Sequence, residues 1–143
     1  MAFQWPIRVY IEDTDLGGIV YYVNYLKYME RARTELLRRD GFSQQTLQGQ
    51  DVLFVVTHAD VQYLQPARLD DELLVSVTTE RCSGVRVTFV QEITRASDSV
   101  LLCRAKVDVA CVSALQMKPQ RWPADIMACL NVNTAQPPAF EEK

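Results

Sequence analysis

This 143-residue chain has one histidine, five glycines and no C-x-x-C pair, so it lacks the parts from which many functional signatures are built. Cys82, Cys103, Cys111 and Cys129 stand far apart with only His58 to join them, which argues against a zinc site and leaves no metal expected. No apolar run approaches the ~18–20 residues of a bilayer span. Met1 to Arg8 has no basic stretch leading into an apolar one, so no secretion signal is expected either. Positive charge is also scarce. Lys+Arg 15 against Asp+Glu 18 gives a net charge of -3, the wrong sign for a non-specific polyanion binder, so nucleic acid is not an expected partner. G-x-G-x-x-G, G-x-x-x-x-G-K-[ST] and G-x-S-x-G are all missing. The remainder has an ordinary globular composition, with 48% hydrophobic and 23% charged residues. The expectation is one cytoplasmic domain over residues 1–130 and a flexible tail over 131–143, where apolar periodicity fades and Pro137-Pro138 intervenes.

Two periodicities organise the chain. From Tyr22 to Arg39 there is neither Gly nor Pro, and Tyr22, Tyr25, Leu26, Met29, Ala32, Leu36 and Leu37 recur at three- and four-residue steps. That spacing predicts a long helix with a wide apolar face, stopped by Gly41. Beyond it the period drops to two. Leu53 to Tyr63, Leu73 to Arg81, Val85 to Ile93 and Leu101 to Cys111 read as strands with one buried face, and Arg8 to Glu12 begins a further strand. Ser83-Gly84 and Ala96 to Ser99 supply tight returns. The order predicts an α+β domain, five antiparallel strands curled around one helix. Such a sheet leaves an edge strand and part of the helix uncovered, which predicts oligomerisation.

Chemistry concentrates in Glu12-Asp13-Thr14-Asp15-Leu16-Gly17-Gly18-Ile19-Val20-Tyr21-Tyr22. Adjacent glycines permit positive φ and close backbone approach to a ligand. The helix start just downstream leaves unpaired N–H groups at its positive end, able to hold an oxyanion or a phosphate. A carboxylate a few residues upstream adds a nucleophile or base, and acyl transfer needs little more. Helix capping and turn formation are the competing use of such acidic residues.

Trp5-Pro6-Ile7-Arg8-Val9-Tyr10, the Glu12 to Tyr21 run, Glu30-Arg31-Ala32-Arg33-Thr34-Glu35, Phe42-Ser43-Gln44-Gln45, Phe54-Val55-Val56, Pro66-Ala67-Arg68-Leu69-Asp70-Asp71 and Met117-Lys118-Pro119 resemble, in order, the YbgC-type acyl-CoA thioesterases. These are relatives of the 4-hydroxybenzoyl-CoA thioesterases. The resemblance implies the hotdog fold, a five-stranded antiparallel sheet wrapped around a long central helix. It also implies dimers, often tetramers, with a thioester site at the subunit interface and no cofactor beyond the coenzyme A of the substrate. Asp15 matches the family's catalytic carboxylate. Tyr22 matches the residue whose backbone N–H faces the thioester carbonyl, with Gly18, Val20 and Tyr21 lining the substrate. Family members commonly carry His at the Tyr22 position, and the 4-hydroxybenzoyl-CoA branch carries Tyr. A backbone role therefore survives in this chain, and a side-chain proton role does not.

An aspartate is ionised at neutral pH, so Asp15 needs no partner base to attack the carbonyl or orient a water. Coenzyme A is anionic, and Arg86, Lys118 and Arg121 are the candidate cations for its phosphates. Glu30, on the predicted helix, is expected in an ion pair with Arg33 or a polar contact to the sheet. His58 is expected as a structural or rim residue. Two rival readings stand beside hydrolysis. One is a hydratase acting on acyl thioesters, which needs a His–carboxylate pair that His58 does not offer. The other is a non-catalytic module docking acyl carrier protein or envelope proteins.

Overall fold

In the computed structural model, which describes residues 2–132, the elements run β1 (Phe3–Arg8), α1 (Val23–Arg39), α2 (Gln44–Gly49), β2 (Leu53–Tyr63), β3 (Glu72–Cys82), β4 (Arg86–Arg95), β5 (Leu101–Val112) and α3 (Ala124–Val132). The strands form one sheet in the order β1-β3-β4-β5-β2, every neighbouring pair antiparallel. Helix α1 lies across the concave face over β3 and β1. Its Tyr25, Tyr28, Met29, Ala32 and Leu36 join Leu73, Val75, Val77, Phe89, Ile93 and Val107 in one buried cluster. Side chains of this size contribute about 1.5–3 kcal/mol each on full burial. One polar group sits at the centre of that core. Gln91 is fully buried, donating from Nε2 to the Met29 carbonyl at 3.0 Å and accepting at Oε1 from Arg33 at 2.8 Å.

The helix ends where the sequence says it should. Gly41 takes φ +94°, and the Gly41 and Phe42 amides close on the carbonyls of Arg38 and Leu37 at 3.0 and 2.9 Å. Several expectations need correction. The first strand is Phe3–Arg8, not Arg8 to Glu12, and Ile11–Asp13 forms a 3-10 turn. Pro6 is tolerated there because β1 is a sheet edge, where a missing N–H breaks no ladder. Tyr22 and Leu26 fit the helical period, yet they are exposed, because α1 packs mainly over β3 and β1 and leaves their side largely uncovered. Strand β2 is not buried along one face. A register shift between Val56 and His58 turns the phase over, and Val56 to Asp60 are all exposed.

Two helices carried no reading from the sequence. Ser43 caps α2, its Oγ accepting from the Thr46 amide at 3.2 Å. Helix α3 buries Ile126 and Leu130 and runs on through 131 and 132, so its backbone crosses the boundary expected at residue 130. The rest of the expected tail, 133–143, lies outside the described residues.

Candidate active site

The segment from Asp13 to Val20 is a strapped hairpin. The Asp15 amide donates to the Ile19 carbonyl at 2.9 Å, and the Gly18 amide to the Asp15 carbonyl at 3.0 Å, with Gly18 at φ +76°. Thr14 and Val20 pair across its base. The Asp15 side chain folds back over the turn, Oδ1 accepting from the Gly17 amide at 2.9 Å. A Cβ on Gly17 would stand 3.3 Å from that same oxygen, which explains the small residue beside the carboxylate. The other carboxylate oxygen makes no hydrogen bond among the described residues. Asp15 and Leu16 are exposed in the single chain, so one copy does not enclose the carboxylate.

The second arm of the hairpin is anchored by the Pro66 to Asp71 turn. Val20 donates to the Ala67 carbonyl at 2.8 Å, and Ile19 bridges to Arg68. Arg95 holds the turn itself, reaching the Pro66 carbonyl and the Asp71 carboxylate, each at 3.0 Å. Ala67, with no exposed surface, also donates to the Tyr25 hydroxyl at 3.0 Å, tying the turn to α1. Asn24 completes the frame. Its Nδ2 donates at 2.9 Å to the Asp13 carbonyl, which also accepts from the Tyr21 amide at 2.9 Å. The carboxylate loop and the first helical turn are thereby clamped together.

Helix α1 opens without any acidic residue in its first turn and without a side-chain cap. Asn24 and Tyr25 turn their amides back to the carbonyls of Tyr21 and Tyr22, at 2.8 and 3.3 Å. The amides of Tyr22 and Val23 find no acceptor among the described residues. Two unspent donors at a positive, unneutralised helix end form an anion site in waiting. Beside them is a shallow cavity of about 230 Å3 lined by Val20, Tyr22, Tyr25, Tyr63 and Pro66. The Tyr22 and Tyr63 rings meet edge to face at 5.8 Å, and Tyr21 leans on Tyr22 at 5.1 Å. Burial raises the Tyr25 hydroxyl above its ordinary value, which keeps it a neutral hydrogen-bonding group.

The structure therefore brings together Asp15, Gly18, Val20, Tyr21 and Tyr22. It does not bring Arg86, Lys118 and Arg121 to them in one chain. Tyr63 pairs with Cys103 at the start of β5, whereas Arg86 pairs with Ala110 near its end, roughly 23 Å away along the strand. Lys118 and Arg121 share that far end, the Arg121 guanidinium lying over Gly84. Arg68 pairs by its backbone with Ile19 of the loop, and sequence reasoning passed over it. Asn24, Tyr25, Tyr63 and Arg95 were likewise missed as site framework. Their only signal was a polar residue inside an apolar helix and a turn motif, and neither reveals a partner. His58 is exposed on β2, consistent with a rim residue. Glu30 is exposed and makes no ion pair with Arg33, whose guanidinium turns to Gln91 in the sheet instead.

Comparisons with known proteins bear on the family and the fold. Residues 9–130 match the model of the Thioesterase-like superfamily. The chain is 48% identical over 126 residues to the acyl-CoA thioester hydrolase YbgC of Escherichia coli, covering 88% of this chain and 93% of that one. It is 42% identical over 131 residues to the acyl-CoA thioesterase YbgC of Haemophilus influenzae, covering 91% and 95%. Its backbone superimposes with a TM-score of 0.85 on the 1,4-dihydroxy-2-naphthoyl-CoA thioesterase of Synechocystis, at 27% identity over 92% of this chain and 96% of that one. A helix gripped by a five-stranded antiparallel sheet, the family match over residues 9–130 and this degree of identity together make the chain a hotdog-fold member of the thioesterase-like superfamily.

Proposed function

We propose that the chain hydrolyses acyl-CoA thioesters in a site completed by a second copy of itself. The observation that carries this reading is the pair of unspent amides, Tyr22 and Val23, on a helix end clamped through Asn24 to the loop that bears Asp15. Those amides receive the thioester carbonyl oxygen and stabilise it most as it becomes an oxyanion. Asp15 supplies the negative oxygen that attacks the carbonyl carbon, or aligns a water to do so. Attack expels the coenzyme A thiolate, and a thiolate leaves without a strong general acid. If the carboxylate attacks directly, water then hydrolyses the mixed anhydride and returns Asp15. Gly18, Val20 and Tyr21 flank the path of the acyl group. No cofactor is needed beyond the coenzyme A that arrives with the substrate.

The edges of the sheet support the second copy. β1 is a six-residue edge interrupted by Pro6, but β2 is an eleven-residue edge exposed through Val56 to Asp60. An unprotected edge of this kind pairs with its own copy about a twofold axis, antiparallel to itself. That arrangement covers Val56, Leu26 and Tyr22, and encloses Asp15. It also carries the far end of one sheet toward the near end of the other, so Arg86, Lys118 and Arg121 reach the coenzyme A phosphates only across the axis. Two or four copies satisfy this geometry. The four free thiols suit a cytoplasmic setting, and the same chemistry serves an acyl group presented on acyl carrier protein.

The test is a hydrolysis screen of acyl-CoA lengths, benzoyl-CoA and an acyl-carrier thioester, run with Asp15→Asn and with light scattering. Asp15→Asn keeps the shape and removes the charge, and kcat is expected to fall about 10²–10⁴-fold. Single-turnover hydrolysis in labelled water separates direct attack, which puts label in the Asp15 carboxylate, from water activation, which does not. A folded Asp15→Asn protein with undiminished turnover refutes the assignment, and a monomer at micromolar concentration refutes the two-copy site.

A further inference from the structure

Between the second half of α1 and the opening of β2 lies a hollow of about 510 Å3 that the reaction scheme above leaves unused. Leu37, Phe54, Val56, Phe89 and Trp122 give it apolar walls, and Glu30 and Arg33 are the only charged residues lining it among the described residues. Arg33 spends one donor on Gln91 Oε1, at 2.8 Å. Gln91 is a neutral acceptor and is itself locked, its Nε2 donating to the Met29 carbonyl at 3.0 Å. The remaining guanidinium donors meet no acceptor among the described residues, and Arg33 forms no ion pair there. Burial presses the guanidinium down to about 10, and Glu30, exposed at the mouth, acts in the opposite sense.

Arg33 is half-buried, and its spare donors can still reach solvent, so an anion arriving in the hollow would displace water and match the cation. The planar fork of arginine fits a carboxylate better than any other side chain does. Gln91 holds that fork at one corner and leaves the rest of it turned to the hollow.

The hollow lies eleven residues along α1 from Tyr22, roughly 16 Å, too far to serve the helix start of its own chain. The two-copy arrangement removes that obstacle. The exposed stretch Val56 to Asp60 is centred on His58, and a twofold axis there brings the second copy's helix start level with Phe54 and Val56. The wall of the hollow then continues the path of an acyl chain whose thioester sits on the other copy's amides.

We propose that Arg33 is a specificity residue, held by Gln91, that selects acyl groups ending in a carboxylate or another anionic oxygen; this rests on the two-copy thioesterase site described under the proposed function. The chain length that fits is the one whose distal oxygen reaches the fork when the thioester carbonyl reaches the helix end.

The experiment compares ω-carboxyacyl-CoAs of four to eight carbons with the matched fatty acyl-CoAs, using the full chain. The wild type is expected to favour the ω-carboxy member for at least one length. In Arg33→Met the ratio of the two kcat/KM values at that length falls about ten- to a hundredfold, the range for a charged hydrogen bond. Arg33→Lys keeps the charge and loses the fork, so its ratio falls less, and it carries the comparison if Arg33→Met does not fold. A wild type that hydrolyses fatty acyl-CoAs but favours no ω-carboxy chain overturns this proposal alone. Equal losses on both series, or dissociation of the copies in Arg33→Met with the ratio intact, also overturn it and make Arg33 a structural residue. A wild type that hydrolyses no thioester at all overturns the enzyme reading, and this proposal with it.

Discussion

Asn24→Ala separates the clamp from the chemistry it serves. In the native chain the Asn24 amide group is almost fully buried and donates to the Asp13 carbonyl at 2.9 Å. Deleting it removes one neutral hydrogen bond, worth about 0.5–1.5 kcal/mol net. The penalty stops there, because the Asp13 carbonyl keeps the Tyr21 amide at 2.9 Å and is not orphaned. A loss near ~1 kcal/mol lowers the melting temperature of a domain this size by roughly 3–4 °C, so the protein remains folded. Activity is expected to respond more strongly. With the clamp gone, the Asp15 loop loses its direct side-chain tie to α1 and keeps only the backbone and the indirect route through Ala67 and the Tyr25 hydroxyl. A displacement of about 1 Å between nucleophile and oxyanion donors costs on the order of 10²-fold in rate. The expected result is a kcat lower by about ten- to a hundredfold with KM little changed, because the lost alignment matters at the transition state. Asn24→Asp is expected to be worse, since it sets a carboxylate against the Asp13 carbonyl and beside the helix end reserved for the oxyanion. Calorimetry and steady-state kinetics on the same preparations check both halves. A melting temperature that falls as calculated while kcat stays within twofold of wild type would refute the clamp.

Gly17→Ala places a Cβ 3.3 Å from Asp15 Oδ1 and is expected to cut kcat several-fold, whereas Gly49→Ala meets open space and serves as the control; equal kinetics in the two variants count against a positioned carboxylate. Val56→Asp alters a residue that is 48% exposed in the single chain, so each copy should still fold. A buried like-charge pair at a self-paired edge should nevertheless split the oligomer and abolish turnover together, as light scattering and activity against concentration will show. Asp51 is bonded by the Ser113 hydroxyl and by the Leu115 amide at 2.9 Å, which hold its carboxyl below the usual carboxylate range, the hydroxyl most strongly. Its contribution to stability is therefore present above the ordinary value near ~3.9 and disappears as pH falls through the lowered one. Asp51→Asn should weaken the fold at neutral pH and flatten the acid limb of a pH–stability curve; an unchanged curve would contradict that linkage.

Much of this architecture could be read locally. Helix α1 was legible because its residues repeat at helical spacing without Gly or Pro, and β3, β4 and β5 because each alternates against one covered face. The loop around Asp15 was legible by its chemistry, and the resemblance selected Asp15 over Glu12 and Asp13. Other elements depended on neighbours remote in sequence. Alternation in β2 predicted one buried face, but the register shift at Val56/His58 and the edge position leave its middle in solvent. Leu26 obeys the helical period as well as Met29 does, and only the placement of α1 over β1 and β3 exposes the first while burying the second. Arg33 could have paired with Glu30 on its own helix. It meets Gln91, 58 positions away, because the centre of β4 passes beneath that turn of α1.

The residue order alone thus determined the periodicities, the helix stop at Gly41 and a carboxylate set just before a helix start, since these follow from backbone sterics and side-chain spacing over a few residues. Tertiary structure alone decided which sheet edge lies open, which amides stay unspent and which half-buried arginine has no ion-pair partner among the described residues. Each of those depends on what the rest of the fold brings within a few ångströms, and local spacing carries no record of it.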